Sequence, residues 1–114
     1  MKRQAIVKCC HALAGVTEEF PFGDGVAVFK VVGKMFALVP VRESPQTMTL
    51  KCDPELAVML RQTYAAVVPG YHTNKKHWNT VTVDGSIGDD ELREMIEHSY
   101  EQVVAGLPKH KRPN

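Results

Sequence analysis

VAVFKVVGKMFALV, Val26 to Val39, is the stretch on which the fold turns. Two runs rich in β-branched and aromatic residues flank a glycine, the pattern of two strands joined by a tight turn. Gly33-Lys34 fits a two-residue hairpin loop with glycine first. Pairing outward from Val32 and Met35 then sets Phe29, Val31, Phe36 and Leu38 on one face, the face expected to meet helices. The other face carries Val28, Lys30, Val32, Met35, Ala37 and Val39, apolar apart from Lys30. An antiparallel sheet with one wet face alternates more sharply than this. The second face is therefore expected to be covered, by a helix of the same chain in preference to a partner or a second copy.

Working outward from the hairpin, Ile6, Val7, Cys10, Leu13 and Ala14 recur at helical spacing, which predicts a first helix ending near Gly15. EEFPFGDG, Glu18 to Gly25, reads as a loop. TMTLK, Thr47 to Lys51, alternates as a third strand. Asp53-Pro54-Glu55 opens a second helix with an N-cap carboxylate, a proline at the first helical position and an acid in the first turn. Leu56, Met59 and Leu60 form its buried stripe. VVPGYH and HWNTVTV read as strands around a Thr73–Lys76 turn, and Leu92, Met95, Ile96, Ser99, Tyr100, Val103 and Val104 mark one face of a last helix stopped by Gly106 and Pro108. The predicted fold is α+β, in the order α-β(3)-α-β(2)-α, a two-layer domain with a mostly antiparallel five-stranded sheet.

The 114 residues, 44% apolar and 24% charged, match an ordinary globular chain, expected as one domain over 1–114 with a short basic tail from about 108. Apolar runs fall far short of a membrane span, and an amphipathic segment follows Met1-Lys2-Arg3 where a secretory leader would be uniformly apolar. Cys9, Cys10 and Cys52 cannot all pair, and no CxxC is present, so a reducing, cytoplasmic setting without membrane contact is expected. The net charge of +1 hides an asymmetry. Asp89, Asp90, Glu91, Glu94, Glu97 and Glu101 crowd the last helix against Arg93 alone. Basic groups lie elsewhere, at Lys2, Arg3 and Lys8, at Lys75-Lys76, and at Lys109, Lys111 and Arg112.

Most of the polar chemistry sits in PGYHTNKKHWNTVTVDG, Pro69 to Gly85. No nucleophile elbow, zinc-protease helix, phosphate loop or dinucleotide fingerprint occurs, so no catalytic residue is assigned and an enzyme is not expected. His72 and His77 have no cysteine or carboxylate pair at ligand spacing, so no metal and no cofactor is expected. His98 reads as a surface residue, and Asn74 and Asn79 as turn residues. The dipole at the start of the second helix lowers the Cys52 thiol pKa, while Asp53 beside it acts the other way.

The expected function is DNA binding through a basic turn and sheet surface, with a protein-interaction module as the alternative. Lys75 and Lys76 would meet phosphates, with His77 and Asn74 supporting the turn and Trp78 stacking on a base or fixing the strand. Trp78, Thr80 and Thr82 share one side of their strand, and Thr47, Thr49 and Lys51 share one side of theirs. If those sides coincide, they form a Thr/Lys/Trp sheet surface. DNA binding there requires cations from three segments to gather beside the indole, opposite the acidic helix. The other class is a protein-interaction or chaperone-like module using the apolar second face, with a site lined by Tyr71, His72 and Trp78 for a small molecule as a minor option.

PFG at Pro21–Gly23, VFKVVGKMFAL at Val28–Leu38, LKCDPE at Leu50–Glu55, PGYHTNKKHWNTV at Pro69–Val81 and HSYEQVVAGLP at His98–Pro108 resemble the MmcQ/YjbR family. Thr73 stands where methionine is usual, and Gly88 where proline often opens the last helix. The resemblance implies a CyaY-like or secretion-chaperone-like α-β(3)-α-β(2)-α domain. It also implies a DNA-binding label, which rests on likeness to the double-wing domain of a phage transcription factor; fold alone does not transfer function.

Overall fold

The computed structural model describes residues 1–113; residue 114, the end of the expected domain, lies outside them. In chain order it holds α1 (Arg3–His11), β1 (Val16–Glu19), β2 (Val26–Val31), β3 (Lys34–Pro40), β4 (Gln46–Lys51), α2 (Pro54–Thr63), β5 (Val67–Pro69), β6 (Trp78–Val83) and α3 (Asp89–Ala105). A 3-10 turn follows at Lys109–Lys111. The strands form one sheet in the order β1-β2-β3-β4-β6-β5, and every neighbouring pair is antiparallel.

The α+β class stands, but the sheet has six strands, not five. The additional one is β1, whose Glu18 and Glu19 had the look of a loop. Two glutamates are poor strand formers, yet they suit an edge strand, where charge discourages pairing with another chain. Val16 and Glu18 turn toward α1, where Glu18 bonds His11 at 2.8 Å. Glu19 turns the other way, meeting Lys30 of β2 at 3.2 Å and accepting from Thr17 Oγ1; the two bonds hold its carboxyl below the usual carboxylate range.

The hairpin is displaced by one residue from its expected place. Val31 pairs with Lys34, so the turn is Val32-Gly33, with φ of 50° and 76°. Both central residues are left-handed, as a turn matched to strand twist requires, and glycine takes the second place. Register then shifts at Phe29/Lys30, where Met35 faces Lys30 and Ala37 faces Phe29, leaving Phe36 as an inserted residue. Beyond this bulge the faces of β3 exchange. Phe36, Ala37 and Val39 join the core with Phe29 and Val31, whereas Leu38, expected among the helices, lies on the opposite side.

The bulge also opens the β3–β4 ladder. After Ala37↔Leu50 the next partners would be Phe36 and Lys51, but the paired register ends there. The buried Ser99 of α3 fills the gap: its hydroxyl donates to the Phe36 carbonyl at 2.5 Å and accepts from the Lys51 amide at 2.8 Å. One side chain thus satisfies two main-chain groups and bolts α3 to the sheet centre.

All three α-helices lie on the same side of the sheet. Ile6 and Cys10 of α1 and Leu92, Ile96 and Val103 of α3 pack on Phe29, Val31, Phe36, Met48 and Val81. α2 lies there too, since the Ala57 carbonyl accepts from Asn79 Nδ2, on the core side of β6. Among the described residues no helix covers the second face, contrary to expectation. Loops border it, and threonines on β4 and β6 replace the apolar alternation of β2 and β3. α1 ends at His11, a turn earlier than its periodicity implies, because Leu13 continues into a turn toward β1. Among the described residues no helix is long and apolar enough to cross a membrane.

Replacing Ser99 by alanine strands the Phe36 carbonyl and the Lys51 amide, and should lower unfolding free energy by about 2 kcal/mol in urea titration. Val32→Asn should act oppositely. A β-branched residue is costly in the left-handed region and asparagine is not, so stability should rise by about 1 kcal/mol, seen as a higher thermal midpoint.

Candidate functional site

The open face is a continuous surface. Thr47 pairs with Thr82, Thr49 with Thr80 and Lys51 with Trp78, so the sides of β4 and β6 that carry these residues coincide. Thr49 and Thr80 join their hydroxyls at 2.8 Å. Beside them, Val26, Met35, Leu38 and Pro40 supply an apolar half, and together they floor a cleft of about 550 Å3. Two loops overhang it: the β1–β2 loop brings Phe22, and the β5–β6 loop brings Tyr71, His72 and Thr73. Phe22 is 69% exposed and Tyr71 72%, large rings that contribute little to the core. Glu43 is the acidic side chain of the lining.

The β5–β6 loop is fastened from all sides. The Gly70 amide bonds the Trp78 carbonyl at 2.8 Å, and the Tyr71 amide bonds Thr80 Oγ1 at 3.0 Å. Asn74 closes the turn: its carbonyl accepts from the His77 amide and its Oδ1 from the Lys76 amide. The His77 carbonyl accepts from the Cys52 amide at 2.8 Å. Gly70 has no room for a side chain, because a Cβ would stand 2.7 Å from the Trp78 Cβ and closer still to Thr73 Oγ1. His72 holds φ at 59° with its ring 4.0 Å from that of Tyr71, and the buried Thr73 hydroxyl has no hydrogen-bond partner among the described residues. A strained residue and an unsatisfied hydroxyl at the rim of a cleft are marks of a site more than of a plain turn.

Arg61 of α2 is the residue that sequence reasoning missed. Its guanidinium donates to Asn79 Oδ1 at 2.6 Å, to the Trp78 carbonyl at 3.4 Å and to the Lys75 carbonyl. A fork of donors gathers one acceptor from the β5–β6 turn and two from the start of β6, a geometry lysine cannot copy. Arginine in the last turn of an exposed-looking helix gives no sign of this. Asn79, expected in a turn, is a buried strand residue that completes the clamp. His98, expected at the surface, is half-buried, and its Nε2 accepts from the Asp53 amide at the start of α2.

The residues singled out for nucleic acid are arranged as follows. Asn74, Lys75 and Lys76 are exposed, and neither lysine makes an ion pair among the described residues. His77 is half-buried. Trp78 is only 9% exposed, so it is not a stacking platform. The cations do not converge either. α1 packs on β1, and the C-terminal segment lies beside it through Pro113 and Gly15, whereas Lys75-Lys76 lie between β5 and β6 at the opposite edge. Five strand spacings separate these edges, roughly 24 Å. Arg112 is spent on the last carbonyl of α3 and one just beyond it, donating to Ala105 and Leu107 at 3.0 Å.

The two buried thiols are poor nucleophiles. Burial pushes Cys10 up to about 12 and Cys52 up to about 11, with Asp53 adding to the latter and Arg61 opposing it. The helix dipole loses to desolvation at Cys52. Among the described residues no three histidine, cysteine or acidic side chains are grouped to hold a metal.

Arg61→Ala should cost about 2 kcal/mol and speed amide exchange across Tyr71–His77, and Arg61→Lys should restore little of it. Iodoacetamide at pH 8 should label the half-buried Cys9 well before Cys10 or Cys52 in the folded protein, as read by peptide mass spectrometry.

Residues 11–102 match the family model described as YjbR. The chain is 36% identical to the Escherichia coli K12 protein described as "Uncharacterized protein YjbR", over 94% of this chain and 91% of that one. It is 40% identical to "Uncharacterized protein YbdF" of Escherichia coli O157:H7, over 79% and 74%. Among solved structures, Deinococcus radiodurans protein DR2400, described with a DUF419 domain, superposes with a TM-score of 0.89 at 39% identity, covering 95% of this chain and 83% of that one. A Pseudomonas syringae protein superposes with a TM-score of 0.77 at 28% identity, covering 90% and 98%.

Proposed function

The chain belongs to the YjbR family, and from that premise we propose that it is a non-catalytic binding module whose open sheet face takes an extended, apolar segment of a protein partner. One observation carries the reading. The second face has no helix over it, yet two loops hold the exposed rings of Phe22 and Tyr71 above its cleft. Apolar floor, threonine hydroxyls and ring-bearing walls are the composition of a surface that grips side chains and hydrogen-bonds a backbone between them. Glu43 makes the cleft unfavourable to a phosphate chain. Protonated, buried thiols support a binding role over catalysis.

DNA binding is the second reading, favoured by Lys75 and Lys76, which are exposed and unpaired among the described residues at the Trp78 end of the same face. It competes with a buried indole and with basic segments set at opposite sheet edges.

Reduced, carboxymethylated α-lactalbumin, a permanently unfolded chain, serves as the probe. Wild-type protein should bind it saturably, Phe22→Ser/Tyr71→Ser should weaken binding by about tenfold, and Lys75→Ala/Lys76→Ala should leave it unchanged. Indifference of the wild type to the probe, or undiminished binding by the aromatic variant, would refute the protein reading. Duplex DNA titrated at several salt concentrations tests the other one: a log–log slope that falls by about two in the lysine variant would establish phosphate contacts there.

A further inference from the structure

A second cavity lies on the helical side, away from the open face. It occupies about 430 Å3 between α2 and α3, within the size range of small-molecule sites. Its floor is sheet: Leu50, Val81 and the Cys52 thiol. One wall is the α2 stripe of Leu56, Met59 and Leu60, and the other is Met95 of α3. Both ends are latched. Near the end of α2 the Tyr64 hydroxyl donates to the Glu91 carboxylate; at its start the Asp53 amide donates to His98 Nε2 at 3.2 Å. Those contacts hold the helices apart at a fixed spacing and close a groove into a pocket.

The packing inside is incomplete. Ala57 is the single fully buried residue of α2, and Met59, on its apolar stripe, is 60% exposed. An apolar body in the pocket would give Leu56, Met59, Leu60 and Met95 the neighbours they lack. The ionisable groups that line the pocket are unbalanced. Glu91 is engaged by Tyr64. His98 Nε2 is engaged by the Asp53 amide. Cys52 is buried. Lys51 borders the pocket, but its place in the β4 alternation is that of Thr47 and Thr49, on the open face. Glu94, between Glu91 and His98 on the α2-facing stripe of α3, keeps a carboxylate with no ion-pair or hydrogen-bond partner among the described residues. We infer that this pocket is a binding site for a small apolar molecule bearing an ammonium group, which packs against Leu60 and Met95 and meets Glu94 at the rim.

Phenethylamine, phenethyl alcohol and phenylacetate share a body of suitable size and differ in charge. Each is titrated into the full chain and followed by amide proton–nitrogen NMR. The amine should give saturable shifts at Cys52, Leu60 and Met95 and bind about fivefold more tightly than the alcohol, as one partly exposed ion pair allows, with the acid weakest. Glu94→Gln, a change at an exposed position that leaves the fold intact, should bring amine and alcohol within about twofold while the alcohol binds as before. The inference fails if no probe shifts those amides saturably. It also fails if the alcohol or the acid binds as tightly as the amine, which would point to a neutral or anionic occupant. A charge preference that survives both Glu94→Gln and the Glu91→Gln/Glu94→Gln double variant would overturn it as well.

Discussion

The Ser99 hydroxyl occupies a place where the sheet cannot satisfy itself. The extra residue in β3 separates the Phe36 carbonyl from the Lys51 amide, and a buried serine bonds both. Leaving those groups unpaired in a dry interior costs more than a typical hydrogen bond contributes, so bulge and helix position are mutually dependent. The bulge in turn sends Phe36 and Ala37 into the core and Leu38 out of it. The serine thereby sets the height of α3 on the sheet, and α3 supplies the acidic wall of the pocket against α2.

With all helices on one side, the molecule presents two different surfaces. The helical side has a small, latched pocket with carboxylates at its rim. The other side has a broad cleft of threonine and apolar residues beneath two loops that carry aromatic rings. They are separated by the thickness of the sheet, so ligands at the two need not compete. Arg61 and Asn79 join α2, which lines the pocket, to the β5–β6 loop, which roofs the cleft.

The dense polar stretch from Pro69 to Gly85 owes most of its composition to fastening. Asn74 closes its own turn, Asn79 and the main chain receive Arg61, and Trp78 is packed behind Gly70. What it offers outward is Tyr71, His72 and the two lysines. Lysine-tryptophan adjacency suggested a nucleic-acid surface because sequence shows neighbours in the chain and not neighbours in space; alternation and burial place the indole and the ammonium groups in different environments.

Periodicity and chain punctuation alone determined the α+β class, the three helices, the two central hairpin strands and the N-cap of α2 at Asp53, because these depend on local spacing and local hydrogen bonds. The coincidence of the threonine sides of β4 and β6 was legible as a possibility of register. Tertiary structure decided the rest. Edge strand β1 is charged and exists only by pairing with β2. The Val32-Gly33 turn and the Phe36 bulge answer to sheet twist and to Ser99. Arg61, Asn79 and His98 acquire their roles through partners distant in the chain. A residue's own propensity is encoded where it stands, whereas a hydrogen bond between distant segments is settled only when the fold brings both ends together.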